Sequence, residues 1–123
     1  MGVWSASNFG NDAACDFVQN VVVKPLTARL QDIVENPALA DPEEQACFEV
    51  MAAVELLAVV CDGGKAHPPS SQLVEDCHDL CLRGWDEGID KLHPDAEYKL
   101  ERRAVIAATF ERLLVICRYW ESL

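Results

Sequence analysis

Apolar residues along most of the chain recur three and four positions apart, the spacing of one helix face, and nowhere alternate as a half-buried strand requires. The densest run is Ala46 to Cys61, ACFEVMAAVELLAVVC, interrupted only by Glu49 and Glu55. It falls short of the about 20 apolar residues of a membrane span and carries charge. A helix apolar on every side in a soluble chain belongs at the centre of a bundle, covered by its neighbours. The pattern predicts an all-α single domain, residues 1–123, of about five helices around this central helix at 46–61.

Residues 1–10 read as a non-helical lead-in, carrying Trp4 and Phe9, that packs on the bundle. Asn11 can cap the first helix, with Asp12 in its first turn, and Ala14, Phe17, Val18 and Val21 supply the inner stripe. Pro25 is expected to end or kink that helix and open a second, with Leu26, Leu30 and Ile33 inward. Before the central helix, Asp41-Pro42-Glu43-Glu44 reads as a capping box, and Asp62-Gly63-Gly64 as its terminator. A fourth helix should run from Ser70 or Ser71 to about Leu92 on Val74, Cys77, Cys81, Trp85 and Leu92. Gly84 and Gly88 within it predict either a break or a close approach of another segment. The last helix follows His93-Pro94-Asp95 and buries Ile106, Phe110, Leu113, Cys117 and Trp120.

Charge narrows the range of partners. Twenty-one acids against ten bases give −11, which argues against direct binding to nucleic acid or an anionic membrane. The excess sits in residues 1–94, whereas residues 95–123 hold five acids and five bases. The opening residues lack the basic and then apolar pattern of a secretory leader, so a cytoplasmic protein with six reduced cysteines is expected.

The opening residues also carry a resemblance. Gly2-Val3-Trp4, Phe9, Asn11-Asp12, Ala14, Asp16 and Phe17 are similar to the start of a bacterial family catalogued as domain of unknown function 4259. The Ala-rich stretch Ala52 to Ala58, with Glu55 inside it, fits that family's helix with an internal glutamate. Ser5 and Phe17 depart from the usual Gly and Trp. The resemblance implies a small helical fold and no established activity.

Several groups are candidates for chemistry. Glu55, central in AAVELLAVV, must find donors or become neutral if it is buried. One reading pins the lead-in to the central helix, with Glu55 accepting from the Trp4 indole or from amides near Asn11. The other makes Glu55 a general base or acid in a ligand pocket. Cys77-His78-Asp79-Leu80-Cys81 has the residue types of a metal or thiol site. On a helix His78 points about 100° away from Cys77, so packing is the better reading and no metal ligand is assigned. The chain has no Gly-rich phosphate loop, G-x-S-x-G or H-E-x-x-H, and neither a cofactor nor a catalytic residue is assigned.

The remaining feature is a row of acids on the fourth helix: Asp76, Asp79, Asp86 with Glu87, and Asp90, with Arg83 among them. This row is either a solvated face or the docking surface for a basic partner. The function expected from these features is a non-enzymatic acidic protein-binding module, such as an immunity-type inhibitor of a toxin or nuclease. A DNA mimic that blocks a nucleic-acid-binding enzyme, and a small enzyme or ligand-binding protein using Glu55, are the alternatives.

Overall fold

The computed structural model describes residues 2–123. Its regular elements are helical: α1 (Asp12–Val18), α2 (Lys24–Glu35), α3 (Gln45–Cys61), α4 (Ser71–Gly88) and α5 (Ala96–Glu121). Among the described residues the only extended pairing is a single bridge between Val3 and Asn11. No helix among them is long and apolar enough to cross a membrane.

The helical class is as expected, but the count of five independent helices is not. α1 and α2 are one continuous rod, joined through a π turn at Gln19–Val23, so the chain forms four rods. Pro25 is the physical reason. In an α-helix its ring collides with the carbonyl of residue i−4, here Val21, and it has no N–H to donate. The widened turn, in which the Lys24 N–H donates to the Gln19 carbonyl five residues back, accommodates the proline without ending the helix. The extra residue also moves the inward row. Val18, Val23, Leu30 and Ile33 are buried, whereas Phe17 and Val21, expected inside, are exposed.

Two antiparallel pairs, α2 with α3 and α4 with α5, lie side by side, so that α2 also packs on α4 and α3 on α5. In this arrangement α3 is one corner, not an enclosed centre. Val50, Met51, Ala53, Val54, Leu57, Ala58 and Cys61 are buried, while Phe48, Glu49, Ala52, Glu55, Leu56 and Val59 face outward. The expectation of a central helix failed for a geometric reason: each of four packed rods has two neighbours and one open side. No fifth rod covers this one.

The start of α3 also differs from the capping box expected at Asp41. The Asp41 carboxylate accepts from the Glu43 N–H at 2.9 Å, closing a side-chain turn that delays the helix to Gln45. Its other oxygen accepts from Lys91 Nζ at 2.6 Å. The far end is as expected: Gly63, at φ +75°, takes the left-handed conformation that stops α3. Ser70 caps α4, its Oγ accepting from the Leu73 N–H at 3.2 Å. α4 runs unbroken through Gly84 to Gly88, and a 3-10 turn, Ile89–Leu92, completes the stretch.

Gly84 and Gly88 mark a close approach, and the approaching segment is the turn before α3. A Cβ on Gly84 would strike the Ala40 carbonyl, and one on Gly88 would come within 2.7 Å of the Pro42 ring. Helix propensity alone favours Gly84→Ala by about 1 kcal/mol. The collision is with backbone, so Gly84→Ala is expected to destabilise by about 1–3 kcal/mol, read as a lower urea midpoint. A raised midpoint would contradict this packing.

Candidate functional site

Glu55 lies on the open side of α3, exposed to water, with Phe48 about two turns before it and Val59 about one turn after it. No hydrogen bond joins it to the described lead-in residues, 2–10. Trp4 is 60% exposed, and Asn11 is occupied elsewhere: its Oδ1 accepts from the Ala14 N–H at 2.8 Å as the α1 cap. The lead-in closes on itself. The Trp4 N–H donates to the Gly10 carbonyl at 2.8 Å and the Asp12 N–H to the Gly2 carbonyl at 2.6 Å. The Cys15 thiol donates to the Phe9 carbonyl at 3.4 Å, and Phe9 packs against the core with Lys65 Nζ 5.7 Å from its ring centre. The pinning role expected of Glu55 therefore does not occur, because a carboxylate on an open corner is hydrated and needs no partner.

The Cys77–Cys81 pair points inward. Both residues are buried, with sulfurs 4.0 Å apart, and the half-exposed His78 sets its ring 5.4 Å from Phe110. No group of three or more potential metal ligands gathers among the described residues. The hydrogen bond with Cys81, then burial, pushes the Cys77 thiol far up. Burial pushes Cys61 up to about 11 and Cys117 to about 12. These thiols stay protonated at neutral pH and act as small apolar groups. His67 is tied into its loop, its N–H donating to Gln19 Oε1 at 2.9 Å and its ring 4.8 Å from Trp120.

All five acids of the α4 row, Asp76, Asp79, Asp86, Glu87 and Asp90, are exposed along one side of the α4 stretch. They divide into two groups. Asp86 accepts from Arg103 Nε at 2.8 Å and Nη2 at 3.0 Å, and Asp90 accepts from Lys99 Nζ at 2.6 Å. A third bond of this kind runs from Arg118 Nη2 to Glu75, at 2.8 Å. These contacts join α4 to α5 along its length. The other three have no lysine or arginine partner. Asp76 accepts from Gln72 Nε2 at 2.8 Å on its own helix, Asp79 lies 3.0 Å from His78 Nδ1, and Glu87 has no side-chain partner among the described residues. The sequence reading missed the division because Lys99 and Arg103 lie 9 and 17 residues away on the next helix. The even balance of acids and bases beyond residue 94 was the available signal.

The model of a domain of unknown function, DUF4259, matches residues 2–114. The chain belongs to the DUF4259 family. No curated protein and no solved structure matches it. The DUF4259 match takes in the lead-in, the whole acidic row and most of α5. In this member the opening residues form the closed loop described above, where a Cβ on Gly2 would collide with the Asp12 carboxylate. Ser5 does not strain that loop: it is exposed, adopts no positive φ, and its Oγ meets that of Ser7 at 2.9 Å.

The Arg103 guanidinium holds the Asp86 carboxyl below the ordinary carboxylate range. A depressed folded-state value means that the stabilisation is complete above the ordinary value, about 4, and fades as pH falls through the lower folded value. Wild type should therefore melt above Asp86→Asn at neutral pH, and the gap should close on acidification. Thermal melts of both proteins between neutral pH and about pH 2 check this, and a gap that widens in acid would contradict it.

Proposed function

We propose that the protein is a non-enzymatic binding module that receives a basic protein partner on the outward side of α4. The observation that carries this reading is the set of three exposed carboxylates, Asp76, Asp79 and Glu87, that no lysine or arginine neutralises in a protein of net charge −11. Asp86 and Asp90 belong to the joint between α4 and α5, and they form the edge of the docking surface rather than its centre. A surface of this sign accelerates encounter with a basic partner and selects against acidic ones. An immunity-type inhibitor that covers the basic face of a toxin or nuclease is the specific form we favour.

A DNA mimic is the weaker alternative. It needs an unbroken line of negative charge, and here Arg83 stands within the row while two of the five acids are neutralised by α5. Glu55 gives no support to an enzymatic role, since it stands on an open helix surface, whereas a general base works from a site that holds its substrate.

The test is affinity capture from the native cell with mass spectrometry, comparing wild type with the Asp76→Asn/Asp79→Asn/Glu87→Gln variant. Wild type should capture a basic protein at low salt and release it as ionic strength rises, and the variant should capture at least about tenfold less. Equal capture by the variant would refute the surface.

A further inference from the structure

At one end of the bundle the start of α3, the last turns of α4 and the first turns of α5 enclose a cleft of about 220 Å³. Its walls are largely apolar and aromatic, with Phe48, Trp85, Ile89, Tyr98 and Ile106 among them. One donor in these walls, and one sealed behind them, lack acceptors. The Trp85 side chain is only 6% exposed, and its indole N–H has no hydrogen-bond partner, which is unusual for a buried tryptophan. Arg102, half-buried, makes no ion pair or side-chain hydrogen bond with any described residue.

The contrast with its neighbours on α5 is informative. Lys99, Arg103 and Arg118 are all engaged with carboxylates of α4 or of the turn after it. Arg102, about 100° around the helix from Arg103, is directed to the cleft instead. Nothing in the cleft supplies its counter-charge. Cys47, in the same wall, is a neutral thiol, since burial pushes it up to about 11. Nearby Asp41 is already bound by Lys91. A half-buried guanidinium with no anion calls for a ligand with acceptor oxygens and one negative charge. The apolar walls call for an apolar body.

We infer that this cleft binds a small organic carboxylate whose body is about the size of one aromatic ring. Its carboxylate pairs with Arg102, and its body lies against Phe48 and the Trp85 ring. The volume fits: an apolar cavity of about 150 Å³ holds benzene, so this cleft has room for a ring and a short acidic arm. α4 and the turn after it contribute the inward residues Trp85 and Ile89 here, so the inference stands apart from any partner on the outward carboxylates.

The test uses the full chain, labelled with ¹⁵N, titrated with phenylacetate, benzoate and 4-methylpentanoate, and with phenylacetamide as the neutral counterpart. The indole resonance of Trp85 is identified among those of the three tryptophans by its loss in Trp85→Phe. At least one acid should move that resonance saturably while those of Trp4 and Trp120 stay in place. Affinity for that acid should fall at least about tenfold in Arg102→Gln and remain unchanged in Arg112→Gln, at an exposed α5 position outside the cleft; if the acid is phenylacetate, its amide should bind at least about tenfold more weakly. The inference is overturned if no acid gives a saturable shift, if the three indoles move together, or if Arg102→Gln binds as tightly as wild type.

Discussion

Lys99, Arg103 and Arg118 of α5 reach across to Asp90 in the turn after α4 and to Asp86 and Glu75 of α4, and the charge pattern of the whole surface depends on these three contacts. A chain with eleven more acids than bases has few cations to place, and α5 holds half of them. Directing three of the five toward α4 neutralises one flank of the acidic row. It leaves Asp76, Asp79 and Glu87 without a basic partner, and it leaves Arg102 with no carboxylate at all. Exposed ion pairs of this kind contribute little stability individually. Their effect here is to decide which charges remain available to other molecules.

The opposite flank of α4 is held by shape. Gly84 and Gly88 let the backbone of the 37–42 turn settle against the helix, and Lys91 bonds to Asp41 at the edge of that contact. The same turn delays the start of α3, so Cys47 and Phe48 reach the cleft beside Trp85 and Tyr98. A tight contact on one side of α4 and the charged contact with α5 on the other fix the walls of that cleft. α3, with two neighbours and an open side, leaves Phe48, Leu56 and Val59 in water, and α5 exposes Val105, Val115 and Tyr119.

Local signals were legible in the sequence. The inward rows of α4 and α5 hold at Val74, Cys77, Cys81, Trp85, Ile106, Phe110, Leu113 and Cys117, because burial on one helix face imposes that period. Asn11, Ser70 and Gly63 act as expected, since caps and terminators depend on a few adjacent residues. What failed depended on distant parts of the chain. Pro25 reads as a boundary until the π turn before it is seen, and Asp41 reads as a cap although it closes a turn and binds Lys91, 50 residues later. Glu55 looked buried because a run of apolar residues does not say which side of the helix its neighbours leave open. The acidic row was legible, but its division by the bases of α5 and the cleft around Arg102 were not, since both arise where separate helices meet.

The protein thus offers outward residues of different chemistry: the carboxylates along α4, and the apolar side chains that α3 and α5 expose. Hydrogen–deuterium exchange of the protein alone, and bound to a partner captured from its native cell, discriminates between them directly. Binding through the α4 row predicts slowed exchange concentrated in residues 71–92, with α3 unchanged. Slowed exchange across residues 48–59 and 105–119, with α4 unaffected, would contradict that reading and assign the contact to those apolar side chains.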